Sequence, residues 1–274
     1  PLHSGALLAA MATHDVPGVE RTDVVTRTHW RATRTPSGPA VVIVVFEEDN
    51  VVVTTEPRVD DTGWLAATVR NWLDLDADPT AIERALGDDP RVGPLVRARP
   101  GLRVLGYLDA FEGAVMTVMG QQVSLAATRT FGARLVAAFG TPVRDGYDVY
   151  PTAQELASTT PEAVQRAVGL TSSRAATVVR VAVAFAEGLR LGPGVDKAAA
   201  RSTLAAIPGV GPWTVDYLSV RALGDRDAFV PGDLVLRRAL GTPSIGEAAA
   251  MSEAWRPYRA YALFHVWTNA AYAR

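Results

Sequence analysis

Residues 207–236 constrain this chain more than any other stretch, reading IPGVGPWTVDYLSVRALGDRDAFVPGDLVL. Two helical patterns, 198–206 and 212–223, flank the turn Pro208-Gly209-Val210-Gly211. Glycine accepts the left-handed backbone of so short a turn and lets another molecule come close to the chain. Pro212 suits the first turn of the second helix, where a missing N–H costs nothing. The N–H groups of Gly209, Val210 and Gly211 are then expected to face outward at a helix N-terminus, a favourable seat for phosphate. Glycine turns also join ordinary helices, so the turn alone does not make an anion site. Past Leu223-Gly224, Phe229-Val230-Pro231-Gly232-Asp233 leads into a further helix with Asp233 close to its N-cap.

The glycine hairpin, Trp213-Thr214 and Val230-Pro231-Gly232-Asp233 together are far more specific than any one of them. In combination they resemble the helix-hairpin-helix-Gly/Pro-Asp (HhH-GPD) DNA glycosylases. The surrounding residues are most similar to the 3-methyladenine DNA glycosylase II (AlkA) family. The likeness covers essentially the whole chain, strongest at 107–139 and 201–274 and weakest before 60. It implies an α+β fold: a mostly α-helical helix-hairpin-helix glycosylase with a small antiparallel β-sheet N-terminal domain. The implied division is 1–106 for the β-rich part and 107–274 for the helical part, with the hairpin unit at about 198–223.

With 274 residues, 48% of them hydrophobic, the chain can bury a sizeable core. Its net charge of −2 conceals an asymmetry: residues 1–96 carry 8 Arg against 15 Asp and Glu, and the remainder 19 Lys and Arg against 14. A nucleic-acid-binding face is therefore expected in the second part, although uneven charge also arises on faces that are merely solvated. The absence of cysteine excludes disulfides, thiolate zinc and the iron–sulfur cluster of some superfamily members. No apolar run is long enough to span a membrane and no signal peptide is visible, so a cytoplasmic, nucleoid-associated protein is the expectation. The chain begins at Pro1, and the resemblance implies a possible N-terminal fusion to a methyl-transfer regulatory domain.

In the first third, 2–12 reads as a helix, 24–34, 41–46 and 51–56 as an antiparallel meander, and 62–73 as an amphipathic covering helix. His3, His14 and His29 are scattered and read as structural or exposed residues rather than ligands. The resemblance gives this part a largely structural role. Farther on, Asp109 and Ser124 are positioned to cap two helices, with Gly120-Gln121-Gln122-Val123 between them. Seen alone, that is a polar break. The resemblance places Gln122 as the wedge that fills the gap left by an extruded nucleotide, and Gln121 beside it to bond base edges. Some family members have an apolar wedge instead. Helical patterns continue over 161–168, 172–187, 234–240, 246–255 and 259–272.

Cleaving an N-glycosidic bond requires an extruded base, a pocket for it and stabilisation of an oxocarbenium-like sugar. Asp233 is the candidate carboxylate; by pattern alone it is equally an ordinary N-cap, and the resemblance makes it catalytic. Trp213 and Tyr217, four residues apart, share a helix face. With Trp267 they form the expected aromatic pocket for a cationic alkylated purine, or else they are core filler. A strand-cleaving lyase needs an amine. Trp213 stands where the lysine of such relatives falls, and the chain's single lysine is Lys197. The resemblance further implies a Na+ or K+ ion on the backbone carbonyls of Ala205, Ile207 and Val210, with no cofactor for catalysis. The expected activity is monofunctional release of 3-methyladenine, and of 7-methylguanine, from damaged double-stranded DNA by a monomer. The alternatives are a glycosylase for oxidised, deaminated or mispaired bases, or a non-catalytic helix-hairpin-helix DNA-binding module.

Overall fold

The computed structural model describes residues 2–48 and 50–272. Helix α1 (Ser4–His14) precedes a four-stranded antiparallel sheet in the order β1 (Glu20–Asp23), β2 (Thr28–Thr35), β3 (Gly38–Phe46), β4 (Val51–Glu56). The expected single strand over 24–34 is instead broken at 24–27. Asp23 Oδ1 accepts the N–H groups of Val25 (2.9 Å) and Thr26 (3.0 Å), and Arg27 takes a φ of 53°, so the chain folds back into a hairpin. The register pairs Val44 with Val53 and Arg31 with Val42. Alternation then sends Val42, Val44 and Phe46 into the main core and Val41 to the opposite face.

Three helices cover the first face: α2 (Thr62–Trp72), α3 (Pro79–Leu86) and α4 (Gly93–Ala98). Asp61 and Asp78 cap the first two with their carboxylates. Next come α5 (Ala110–Met119) and α6 (Leu125–Phe139), capped by Asp109 and Ser124 as anticipated. A short hairpin, β5 (Thr141–Arg144) and β6 (Tyr147–Val149), has no counterpart in the sequence reading. Its few residues show no alternation long enough to register, yet Val149 packs with Ala32 and Val41 on the outer sheet face.

The rest is helical: α7 (Ala153–Ala157), α8 (Pro161–Val168), α9 (Ser172–Ala186), α10 (Lys197–Ala206), α11 (Pro212–Arg221), α12 (Leu234–Leu240), α13 (Ile245–Ser252) and α14 (Arg259–Trp267). The expected 246–255 helix ends at Ser252 and continues as one 3-10 turn; that at 259–272 loosens into a wider turn from Thr268. Two cores result. One joins α1, the sheet and α2–α4 to residues near the C-terminus such as Tyr261 and Leu263, and the other fills the space among α5–α11. Helix α11 lies at their seam, giving Val220 to the first core and Val215 and Leu218 to the second. Among the described residues, no single helix is long and apolar enough to cross a membrane.

Candidate active site

Because α11 occupies the seam, one of its faces opens on the cleft between the cores. Trp213, Tyr217 and Arg221 follow one another at four-residue intervals on that face. The Trp213 and Tyr217 rings stack at 5.0 Å with planes 20° apart. Arg221 Nη1 donates to Tyr217 Oη (3.0 Å) and Nη2 to the Gly106 carbonyl (3.3 Å). Its guanidinium lies 4.7 Å from the ring centroid of Tyr107 and 5.7 Å from those of Tyr217 and Phe264. Tyr107 in turn lies flat on α5 at Gly113, where a Cβ would overlap its ring. Trp267 of α14 faces Tyr217 at 5.7 Å.

Asp233 is both cap and cleft residue. Its Oδ1 accepts the Leu236 N–H (2.8 Å), closing the first turn of α12, and also the Trp267 indole N–H (3.1 Å). Its Oδ2 accepts the Trp213 indole N–H at 3.3 Å. Two rings anticipated as pocket walls thus also hold the carboxylate by their polar edges. Asp233, Tyr217 and Arg221 border two adjoining cavities of about 160 and 350 Å³. A carboxylate, a stacked aromatic row and a guanidinium thus converge on a space sized for a flat heterocycle.

The first third is not a bystander here. Ala6, Leu7, Ala10 and His14 of α1 line the smaller cavity. His14 Nδ1 bonds the Ala10 carbonyl (2.7 Å), and burial, helped by the charge of Arg221, lowers its pKa to about 4. The far end of the larger cavity is bounded by Arg31, which is buried between Glu20 (2.9 Å) and Glu112 (2.5 Å). Burial pushes the Glu112 carboxyl up to about 8, opposed by the charge of Arg31. Sequence reasoning missed Tyr107, His14, Arg31 and Glu112, because no local spacing marks them. Arg221 carried a signal, since it continues the interval from Trp213 to Tyr217.

The hairpin takes the expected shape, with two corrections in detail. The Val210 N–H, expected to face a phosphate, bonds back to the Ile207 carbonyl at 3.0 Å and closes the turn. Gly209 is exposed, with φ of 97°, and a Cβ there would overlap Thr177 Oγ1 on α9. Gly211 is the N-cap of α11. The second correction concerns Gln121. Its Nε2 donates to the Gly209 carbonyl (3.1 Å) and to Thr214 Oγ1 (3.0 Å), so it braces the hairpin instead of lining the cavities. The reason is tertiary, since the α5–α6 turn lies against the hairpin. Gln122 is exposed at the tip of that turn with φ of 55°.

Other candidates lie apart. Lys197 pairs with Asp225 (3.3 Å) along a separate groove, Asp216 with Arg201 (2.8 Å), and Asp227 with Arg256 and Arg259. Among the described residues, no group of three or more His, Asp or Glu could hold a metal ion.

A glycine hairpin beside an aromatic cleft with a helix-capping aspartate defines the helix-hairpin-helix class of base-excision folds. Comparison with known proteins agrees: residues 1–109 match the AlkA N-terminal domain, and residues 115–250 match the HhH-GPD superfamily base excision DNA repair protein. The chain belongs to this superfamily, in its AlkA (DNA-3-methyladenine glycosylase 2) family. It is 35% identical to the DNA-3-methyladenine glycosylase 2 of Escherichia coli K12 over 204 residues, 73% of this chain and 70% of that protein. It is 38% identical over 271 residues to a Mycobacterium tuberculosis protein described as a probable bifunctional transcriptional activator/DNA repair enzyme AlkA. That match takes in 94% of this chain but 53% of the relative, so the chain spans about half its length. In fold, the solved 3-methyladenine DNA-glycosylase of Archaeoglobus fulgidus superposes with a TM-score of 0.79 at 19% identity, over 97% of this chain and 94% of that one.

Proposed function

We propose that the chain is a monofunctional DNA glycosylase that releases alkylated purines, 3-methyladenine and 7-methylguanine, from duplex DNA. The observation that carries this reading is the Asp233 carboxylate, held by Trp213 and Trp267 at the edge of the aromatic cleft. A flipped purine stacks on the Trp213–Tyr217 row and places its sugar at Asp233. Ring alkylation leaves the base positively charged, so aromatic faces attract it by about 0.5–2 kcal/mol per contact. The base then departs neutral, taking the glycosidic electron pair. Asp233 stabilises the cationic sugar left behind and orients the water whose oxygen bonds C1′, and the water's proton passes to solvent or to Asp233.

The DNA-facing parts follow the same reading. The hairpin around Gly209 and Gly211 grips the phosphate backbone without reading sequence, with Arg174 and Arg180 of α9 alongside. Their guanidiniums brace the Gln121 and Pro208 carbonyls. Gln122, exposed at its turn, enters the stack where the nucleotide has left. Ala205, Ile207 and Val210 offer neutral carbonyl oxygens and no carboxylate, a donor set that suits Na+ or K+ over a divalent ion. When bound, such an ion adds positive charge beside the phosphate. The only lysine is paired in another groove, which supports hydrolysis over a Schiff-base lyase.

The test is release of free base from methylated duplex DNA, comparing the native chain with Asp233→Asn. Release by the first, lost in the second while duplex affinity persists, is the expected result. Equal release by both sinks the assigned mechanism. No release by either, with binding intact, points to the non-catalytic module or to another lesion.

A further inference from the structure

Strand β4 forms the edge of the sheet away from β1, and its outer side is open. Glu47 donates its N–H to the Asn50 carbonyl across the β3–β4 turn, and Phe46 donates to the Arg27 carbonyl on the β2 side. Hydrogen bonding alternates along an antiparallel ladder, so Val52, Thr54 and Glu56 turn their backbone groups toward β3. Val51, Val53 and Thr55 turn theirs outward, and among the described residues none of those N–H or C=O groups has a partner. Such an edge is ordinarily protected by a charge, a proline, a bulge or a covering segment. From Val51 to Thr55 there is no charge and no proline, the register runs without a bulge, and Val52 leaves 40% of its surface exposed.

An unpaired row of this kind takes up another extended strand, and β4 is complementary to itself. In an antiparallel pair centred on Val53, every outward group finds a partner: Val53 meets Val53, and Val51 meets Thr55. On the outer face Val52 then stands opposite Thr54 and Glu56 opposite Asn50, so no like charges meet. Just past the strand, Arg58 comes level with Glu48 at the turn of the other copy. Arg58, Glu47 and Glu48 are exposed, and none has an ion pair among the described residues. A parallel, in-register pairing would instead set Glu56 against Glu56. We propose that two copies of this chain join antiparallel through β4, each extending the other's sheet and bringing Arg58 to the acidic turn of its neighbour. This two-fold pair replaces the monomer expected from the sequence, and each copy contributes the same surface. Helix α1, which walls the cleft, packs at the β1–β2 side, so the junction forms away from the cleft. The six residues of β4 span about 20 Å. That is less contact than a permanent dimer needs, so the dissociation constant is expected on the order of 10 µM.

Sedimentation velocity from about 1 to 200 µM compares the native chain with Val52→Lys/Thr54→Lys, with Arg58→Glu, and with Glu47→Arg/Glu48→Arg/Arg58→Glu. All five positions are exposed, so the variants fold, which circular dichroism checks. The native chain passes from monomer to dimer over this range. Val52→Lys/Thr54→Lys sets like charges face to face across the junction and raises the dissociation constant at least about tenfold. Arg58→Glu raises it about three- to tenfold, and the triple variant, with the charges exchanged, returns to within about threefold of native. Amide hydrogen exchange reads the junction directly: protection of Val51, Val53 and Thr55 rises with concentration in the native chain and not in Val52→Lys/Thr54→Lys. A native chain that stays monomeric throughout overturns the inference, as does a dimer indifferent to the β4 substitutions. A triple variant that regains nothing of what Arg58→Glu loses overturns the antiparallel arrangement.

Discussion

Gly209 provides a direct test of how the hairpin is held. Its φ of 97° is a left-handed conformation that costs an alanine about 1–2 kcal/mol. A Cβ at this position also overlaps Thr177 Oγ1 and sits 2.9 Å from Thr177 Cγ2, so α9 and the hairpin must separate, which adds about 1–3 kcal/mol. Gly209→Ala should therefore cost about 2–5 kcal/mol. Thr177→Ala removes both overlapping atoms and leaves only the Thr177 Cβ, at 3.0 Å. By itself it loses one hydroxyl donor, shared between the Ser173 (3.0 Å) and Pro208 (3.3 Å) carbonyls, about 0.5–1.5 kcal/mol in all. The double variant regains the steric part and keeps the φ part, so the cycle shows a coupling of about 1–3 kcal/mol. Urea denaturation of the four proteins measures it. Fluorescence anisotropy with a labelled undamaged duplex should follow the same order, since the displaced turn is the proposed phosphate clamp. Strict additivity of the two substitutions would refute the packing argument.

Trp267→Phe keeps a ring against Tyr217 but removes the N–H bonded to Asp233; a bond to a charged group is worth about 1.5–3 kcal/mol, so base release should slow about ten- to hundredfold with duplex affinity unchanged. A loss of stability with an unaltered rate would show that the indole does not position the carboxylate. Arg31→Met leaves Glu20 and Glu112 buried without their cation and should cost about 3–5 kcal/mol near neutrality. Burial raises both carboxyls and the charge of Arg31 opposes it, so losing Arg31 raises them further and the variant's folded state holds protons that the native one does not; the deficit should shrink on acidification from pH 8 toward 5, and a deficit independent of pH would contradict this. His265 is buried and lowered to about 4, so between pH 6.5 and 5 the unfolded chain binds a proton that the folded one does not. Native stability should fall over that interval by about 1.5 kcal/mol relative to His265→Gln, measured by urea titration at both pH values; parallel pH profiles would exclude it.

Much of the site was legible because its parts are local. Asp233 before a helix, Pro212 after a glycine turn and the four-residue spacing of Trp213 and Tyr217 are statements about neighbours in sequence, and α11 and α12 form as that chemistry requires. Gln121 shows the limit. Its sequence marks a polar residue between helices, and only the approach of the α5–α6 turn to the hairpin, 88 residues away, directs its amide to Gly209. The same applies to the Asp23 turn that broke the expected strand, which was a matter of side-chain preference that β-branched composition obscured.

Local pattern sufficed for the helix-hairpin-helix, the caps and the last two strands of the meander, because hydrogen bonds within a turn and apolar periodicity depend on residues a few positions apart; the motif resemblance supplied the family. Long-range packing put α1 of the β-rich part against the cleft, brought two indole N–H groups to Asp233, and set Arg221 at the opposite end of the aromatic row. Those outcomes follow from packing two cores against opposite faces of α11. A cleft at such a seam takes its lining from segments far apart in the chain, and no local pattern records which of them will meet.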